Sequence, residues 1–310
     1  MRPLLLVAGL LGTALLLLVF VFPAQLAEAG LALERARSGL SEHSVTVDGL
    51  QIRYLDSGGS GEPLVLVHGF GADKDNWTRV ARWLTPHYRV IAPDLPGYGE
   101  SDAPAGASYR VPDQAVRLQA FIGTLGLGAV HLGGSSMGGH IIGTYAARDP
   151  QAVKSLWLVA SGGVFSAPLS EMAQTLASGG ENPLVATDRA SFDRTLAYVF
   201  TEVPRIPGVV REVLAARAAA SRALRAEQFR QIREESPGLE GLLTGLTIPT
   251  HILWGDQDRV LHVGAVGILQ ARLPQASATV LPGVGHLPMM EQPEVAARDY
   301  LAFRDRLAGG

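Results

Sequence analysis

Short apolar runs alternate with amphipathic helical patterns over most of the chain. Two alternating segments, 45–47 and 52–54, flank Asp48-Gly49 and predict a β-hairpin. Six further strands are predicted from short, mostly apolar runs at 63–68, 89–94, 129–133, 153–160, 250–254 and 278–281. Helical patterns are found at 77–84, 111–125, 137–148 and 293–307. This order predicts an α/β fold with a mostly parallel eight-stranded sheet covered on both faces.

The alternation stops between Ser161 and Leu246. This segment has helical and irregular patterns, including an alanine- and arginine-rich helix predicted at 211–233. One predicted helical face in the segment is apolar: Phe192, Leu196, Val199 and Phe200. A helical insertion between strands of an otherwise regular sheet is typical of a lid, which we place at about residues 162–246.

The first residues form an apolar run unlike the rest of the chain. Residues 4–22, as a helix rising ~1.5 Å per residue, would span about 28 Å, close to the ~30 Å of a bilayer core. We therefore predict a transmembrane anchor at 1–23. A cleaved signal peptide is the alternative, with the small residues at 27–29 as its cleavage site. Ala8 and Gly12 lie four positions apart, a spacing that permits a homodimer through this helix.

The anchor predicts a single-pass membrane protein. In a bacterium, the domain after it would face the periplasm from the inner membrane, because an N-terminal apolar segment is the usual export signal. Residues 24–42 are interpreted as a juxtamembrane helix at the membrane interface, or as a linker helix packed on the domain that follows. Residues 43–310 then form that one domain.

Composition narrows the classes of protein further. The chain has 310 residues, 47% of them hydrophobic, and a formal net charge of −3. No basic tract is present, which excludes a nucleic-acid-binding role. Without cysteine there are no disulfides, catalytic thiolates or cysteine metal ligands. The glycine-rich segments lack nucleotide-binding spacings, and the histidines lack metal-ligand spacing. We therefore expect neither a cofactor nor a metal.

A G-x-S-x-G motif occupies Gly134 to Gly138, with Ser136 at its centre. It follows a predicted strand and precedes a predicted helix, the context of a nucleophile elbow. In such a tight turn the serine has strained backbone angles, and only small residues fit two positions to either side. The motif therefore predicts Ser136 as a nucleophile, whereas Ser135 is one residue out of register.

A serine hydroxyl needs a base to take its proton. In a fold with this elbow, the acid and then the histidine follow the serine along the chain. His286 lies in a glycine-rich loop after the last predicted strand and is the predicted base. The loop after the preceding strand offers two carboxylates, Asp256 and Asp258. Asp258 is favoured because it lies farther into the loop, while Asp256 is typical of a turn.

The negative charge on the reacting carbonyl requires preorganised donors. One is the backbone N–H of the residue after the nucleophile, here Met137. The other is expected from the loop after the strand at 63–68, where the N–H of Phe70 is the candidate. His68 is interpreted as structural, anchoring that loop.

Several of these motifs together resemble the α/β-hydrolase family. They are His68-Gly-Phe-Gly-Ala-Asp-Lys-Asp-Asn-Trp77, Asp94-Leu-Pro-Gly-Tyr-Gly-Glu-Ser101, Gly134-Ser-Ser-Met-Gly-Gly139, Trp254-Gly-Asp-Gln-Asp258 and Gly285-His286. From Val45 onward the chain is similar to membrane-anchored monoacylglycerol lipases and to bacterial lipases and phospholipases A with an N-terminal membrane helix. The resemblance implies that Asp258, rather than Asp256, is the acid.

The expected function is that of a membrane-bound serine hydrolase that cleaves fatty acyl esters through an acyl-enzyme. Its expected partners are an acyl lipid substrate and the bilayer. One alternative is hydrolysis of small soluble esters or carbon–carbon bonds with the same three residues. A non-catalytic binding protein on this fold is a second alternative, which the presence of all three residues disfavours.

Overall fold

A computed structural model describes residues 21–309, which form an eight-stranded sheet with helices on both faces. The strands are β1 (Ser41–Val47), β2 (Leu50–Asp56), β3 (Glu62–Val67), β4 (Tyr88–Pro93), β5 (Val130–Ser135), β6 (Val153–Val159), β7 (Thr250–Gly255) and β8 (Ser277–Leu281). The helices are α1 (Pro23–Arg37), α2 (Thr78–Leu84), α3 (Val111–Thr124), α4 (Met137–Arg148), α5 (Glu171–Ala177), α6 (Arg189–Val199), α7 (Gly208–Ala220), α8 (Arg222–Glu234), α9 (Leu239–Leu242), α10 (Ala265–Arg272), α11 (Pro288–Glu291) and α12 (Pro293–Ala308).

The sheet has the strand order β1-β2-β4-β3-β5-β6-β7-β8. β2 is antiparallel to both of its neighbours, and the other pairs are parallel. Asp48 and Gly49 join β1 to β2 with φ angles of 50° and 80°, the conformation of a tight hairpin turn. The predicted fold class, a mostly parallel eight-stranded α/β sheet, is confirmed.

The core is divided between the two faces of the sheet, because successive side chains of a strand point to opposite faces. In β3, Val65 and Val67 join an apolar layer with α3, α4 and α10, while Leu64 and Leu66 join the layer with α2 and α12. This burial on both faces explains why the central strands are continuous apolar runs.

The helices differ from the prediction in several places, two of which have a clear local reason. The single helix predicted at 211–233 is two helices, α7 and α8, which meet at Ser221. The hydroxyl of Ser221 donates to the carbonyl of Arg217 at 3.2 Å, a local bond that competes with helix continuation. α10 was not predicted, because only three of its residues are buried and a glycine interrupts its apolar pattern.

The predicted localisation in a single-pass membrane protein is wrong. Within residues 21–309, no helix is both long and apolar enough to cross a bilayer. The longest helix in this range, α12, has 16 residues with charges along its length, whereas a span needs about 20 mostly apolar residues. The predicted anchor at 1–23 lies outside the described residues except for its last three positions, and Ala8 and Gly12 lie outside them entirely.

α1 packs on the domain through two buried residues, Ala27 and Arg35. The Arg35 guanidinium donates to the carboxylate of Asp75 through Nε at 2.7 Å and to that of Glu42 through Nη1 at 2.7 Å. Leu33 of the same helix is 51% exposed. This packing is what the linker interpretation of residues 24–42 expects, and the domain boundaries stay a prediction.

Candidate active site

Ser136 lies in a strained turn between β5 and α4. Its φ and ψ angles are 55° and −117°, outside the regions that non-glycine residues ordinarily adopt. Backbone bonds hold this conformation: the Ser136 N–H donates to the Val159 carbonyl at 2.9 Å, and the Ser136 carbonyl accepts the N–H groups of Gly162 at 2.8 Å and His140 at 3.2 Å. Strain of this kind persists only where the surrounding structure fixes it, as at many functional sites.

The glycines on either side of Ser136 are required by space. A Cβ at Gly134 would lie 2.5 Å from the carbonyl oxygen of Gly138, and a Cβ at Gly138 would lie 2.6 Å from that of His68. Ser135 ends β5 and is fully buried, whereas Ser136 is partly exposed. Only Ser136 therefore presents its hydroxyl at the carboxyl edge of the sheet.

His286 and Asp258 are brought together from the loops after β8 and β7. His286 Nδ1 lies 2.8 Å from Asp258 Oδ2, and both side chains are almost fully buried. The other carboxylate oxygen, Oδ1, accepts the N–H groups of Val260 and Leu261 at 2.8 and 2.9 Å. A carboxylate facing Nδ1 selects the tautomer with the proton on that nitrogen, so Nε2 is left free to accept a proton.

Asp256 has a different position and a different contact. Its side chain is exposed, and Oδ1 accepts the N–H of Gly283 at 2.7 Å. Of the two carboxylates in this loop, Asp258 is the one in contact with His286. Asp256 instead ties the loop after β8 to the loop after β7.

The loop after β3 lies directly against the serine, because β3 and β5 are neighbours and Val67 pairs with Gly134. A Cβ at Gly69 would be 3.2 Å from the Cβ of Ser136. His68 holds this loop: Nε2 accepts the N–H of Leu95 at 3.1 Å and Nδ1 donates to the Gly69 carbonyl at 2.8 Å. Burial lowers the pKa of His68 to about 4, so the ring is neutral at pH 7.

The two predicted oxyanion donors are the N–H groups of Phe70 and Met137. Among the described residues, neither N–H donates to a backbone carbonyl, which leaves both available to a substrate oxygen. Their side chains are fixed from outside the two loops. The Phe70 ring meets Phe229 of α8 edge to face at 5.4 Å, and Met137 Sδ accepts the Tyr98 hydroxyl at 3.3 Å.

A buried ion pair below the Phe70 loop was not predicted. Lys74 Nζ lies 2.9 Å from Asp94 Oδ2 and 2.6 Å from Glu100 Oε2. The carboxylate of Asp94 also accepts the N–H of Lys74 at 2.7 Å and that of Glu100 at 2.9 Å. Lys74 and Asp94 are 20 positions apart, so no local sequence pattern signals the pair.

The other buried histidines lie in separate hydrogen-bonded environments. In β5 and β7, His131 and His251 bond the hydroxyls of Ser155 and Ser277 through Nδ1 at 2.9 and 2.8 Å. His140 donates to the Pro237 carbonyl at 2.8 Å, and burial lowers its pKa to about 4. Within residues 21–309, no cluster of acidic and histidine side chains is arranged to hold a metal ion.

The chain belongs to the α/β hydrolase fold family, whose model matches residues 62–293. It is 39% identical over 280 residues to Lipase 1 of Psychrobacter immobilis, an alignment that covers 88% of this chain and 87% of the lipase. It is 29% identical over 254 residues to the monoacylglycerol lipase ABHD6 of Mus musculus, covering 77% and 75% of the two chains.

Among solved structures, the fold is similar to that of a membrane phospholipase A, described as bacterial. The TM-score is 0.91 at 45% identity, and the match covers 100% of this chain and 99% of the other. The predicted resemblance to lipases and phospholipases of this family is thus confirmed, as is the predicted enzyme class, a hydrolase of carboxylic esters.

Proposed function

We propose that the protein hydrolyses fatty acyl esters through a serine acyl-enzyme. The single observation that carries the proposal is the contact of His286 with Asp258 at the edge of the sheet where Ser136 occupies its strained turn. This arrangement supplies a nucleophile, a base with its Nε2 unprotonated, and a carboxylate that orients the base.

In the proposed reaction, Ser136 Oγ attacks the ester carbonyl while His286 Nε2 takes its proton. The carbonyl oxygen becomes negative and is stabilised by the N–H groups of Phe70 and Met137. The protonated His286 then gives its proton to the leaving alcohol oxygen, and the acyl group stays on Ser136. Water, deprotonated by His286, then attacks the acyl carbonyl. The bond from this carbonyl carbon to Ser136 Oγ breaks, His286 returns the proton to Oγ, and the fatty acid is released.

The proposed acyl lipid substrate is supported by the segment between β6 and β7, which we propose is a lid. Its helices α5 and α6 form an apolar cluster with the loop that carries Asp258: Met172, Val199, Phe200 and Val260 are buried together. Leu196, Leu287 and Met290 pack against this cluster, which we call the insertion cluster. Apolar side chains next to a reacting ester are what a fatty acyl chain requires.

The same segment touches every loop of the candidate site. Phe229 of α8 contacts Phe70, the Ser170 hydroxyl donates to the Val260 carbonyl at 2.7 Å, and the Val199 carbonyl accepts the His286 N–H at 2.9 Å. A segment in this position lies over the carboxyl edge of the sheet, where it would exclude water and contact the substrate.

A hydrolysis panel with an active-site probe tests the proposal. The panel compares monoacylglycerols, lysophospholipids, diacyl phospholipids and short nitrophenyl esters, and a fluorophosphonate reports the reactive serine. We expect long-chain acyl esters to be cleaved and Ser136→Ala to remove both turnover and labelling. Ser135→Ala, a change of the same size one residue away, should leave labelling present.

Several results would contradict the proposal. Labelling that survives in Ser136→Ala but is lost in Ser135→Ala would place the nucleophile elsewhere. Turnover of small soluble esters or carbon–carbon bonds, with none on acyl lipids, would support the alternative substrate class. A folded wild-type protein that neither labels nor turns over any ester would indicate a binding protein.

A further inference from the structure

The backbone of the loop that ends in His286 is held residue by residue. Gly283 donates its N–H to Asp256 Oδ1 at 2.7 Å, and the carbonyl of Val284 accepts the N–H of Gln257 at 2.9 Å. Both of these contacts come from the loop after β7, which also carries Asp258. They fix the first half of the His286 loop to the loop that carries the acid.

The second half of the loop is held from the opposite side. Gly285 donates its N–H to Glu291 Oε1 at 2.9 Å, and His286 donates its N–H to the carbonyl of Val199 at 2.9 Å. Glu291 ends α11, and Val199 ends α6 of the insertion. Neither group belongs to the three residues that carry the proposed chemistry.

Glu291 also binds the insertion with its second oxygen. Oε2 accepts the N–H of Thr201 at 3.0 Å and that of Glu202 at 3.4 Å. These residues lie two and three positions after Val199, the last residue of α6, whose carbonyl accepts the N–H of His286. One carboxylate therefore holds the residue before the histidine and the segment that holds the histidine itself.

The backbone at Gly285 is in close contact with both Glu291 and Val199, which leaves no room for either group to move alone. A Cβ at Gly285 would lie 2.8 Å from Glu291 Oε1 and 2.8 Å from the carbonyl oxygen of Val199. Because the groups are in direct contact, a shift of either the insertion or α11 is transmitted to the backbone of His286. Hydrogen bonds from N–H groups to a carboxylate are roughly twice as strong as neutral ones, so Glu291 is a firm anchor for both segments.

We propose that Glu291 is a positioning residue for the base. Its carboxylate fixes the position of His286 relative to Ser136, and it couples that position to the position of the insertion. The inference rests on the proposed function, in which His286 is the base. Misplacing a catalytic group by about 1 Å can cost on the order of 10²-fold in rate, so loss of this anchor is expected to act mainly on kcat.

The test compares wild type with Glu291→Ala, Glu291→Gln and the control Glu294→Gln. Glu294 lies three positions later and pairs with Arg298 on the surface, away from the His286 loop. Turnover of a short nitrophenyl ester is measured per serine titrated with a fluorophosphonate, and unfolding midpoints are recorded for every variant. Titration separates a slower site from a smaller number of intact sites.

We expect Glu291→Ala to lower kcat per titrated serine by about tenfold to 10²-fold, with KM little changed. The glutamine variant keeps one acceptor oxygen and should restore part of kcat, while Glu294→Gln should match wild type. A wild-type kcat per titrated serine in Glu291→Ala would overturn the inference, as would a loss confined to the number of titrated sites.

The results of this experiment distinguish a failure of the positioning role from a failure of the proposed function. An active wild type with an unchanged Glu291→Ala removes the positioning role alone. A wild type that shows no labelling at Ser136 removes the proposed function and, with it, the role of Glu291. If the alanine variant does not fold, the near-isosteric glutamine variant decides, and an unchanged kcat in it overturns the inference.

Discussion

Both carboxylate oxygens of Asp258 have hydrogen-bond partners, and one of these partners is His286. Oδ2 faces His286 Nδ1 at 2.8 Å, while Oδ1 is fixed by the N–H groups of Val260 and Leu261. The backbone bonds stop the carboxylate from rotating, so it holds the imidazole in one orientation and one tautomer. Asp256 makes its bond to the Gly283 backbone instead. Two aspartates two positions apart thus have separate tasks.

The first prediction compares neutral replacements of these aspartates. Asp258→Asn should lower kcat by about 10⁴-fold, because an amide opposite Nδ1 favours the tautomer in which Nε2 is already protonated. Asp256→Asn should cost far less, since its oxygen can still accept the Gly283 N–H. Steady-state kinetics on a short ester measures both, and the reverse ranking would assign the acid to Asp256.

At the scale of elements, the insertion supplies apolar side chains that pack against the loops of the site. Phe200 and Val199 lie at the end of α6 and are buried against Val260. Leu196, one turn earlier on the same helix, is only partly buried and packs against the insertion cluster. A side chain in that position can be covered by an acyl chain without being needed for the core.

Shortening Leu196 should therefore change chain-length preference. Leu196→Ala is expected to lower kcat/KM on long-chain esters by about tenfold relative to short ones, since one apolar contact in a pocket is worth ~1–3 kcal/mol. Leu169→Ala is the matched control, because Leu169 lies in the same insertion but is 59% exposed. Equal losses on short and long esters would mean that Leu196 supports folding rather than acyl binding.

At the scale of the whole molecule, the ionised carboxylate of Asp73 lowers the free energy of unfolding as pH rises to neutral. Asp73 accepts the N–H of Asp75 and begins the short turn Lys74–Trp77. Burial and the neighbouring charges of Asp75 and Asp94 raise its pKa to about 7. The unfolded chain has the ordinary value of about 3.9, so the native state holds this proton more tightly. The group's contribution to stability is thus fully present below about pH 4 and is lost as pH rises through 7.

Replacing Asp73 by asparagine should remove this loss of stability as pH rises. Asparagine caps the turn as well as aspartate does, so Asp73→Asn should be more stable than wild type at pH 8 and should converge with it near pH 4. Urea midpoints across this range measure the difference. Asp188→Asn is the control: Asp188 caps α6, but its bonds to Ser191 lower its pKa, and its replacement should bring no gain at pH 8. A gain in both variants would indicate a general charge effect.

Much of the fold followed from the sequence because its signals are local. A parallel strand covered on both faces is an apolar run, and the hairpin turn at Asp48-Gly49 has its own sequence signature. The break at Ser221 and the helix α10 were missed because their patterns are weak over one or two turns. The localisation was wrong, and it had been inferred from the apolar run at 4–22 alone.

The sequence by itself determined the fold class and the positions of Ser136 and His286 at the ends of their strands, since a G-x-S-x-G turn and the order of elements are written along the chain. The position in the loop favoured Asp258 over Asp256 without excluding Asp256, and only the tertiary structure shows that Asp258 is the one against His286. Lys74 with Asp94, and Glu291 with Thr201, are partners across 20 and 90 positions. Such long-range contacts produce no periodic pattern in the sequence. They exist because the sheet brings distant loops to one edge, where buried polar groups must find partners.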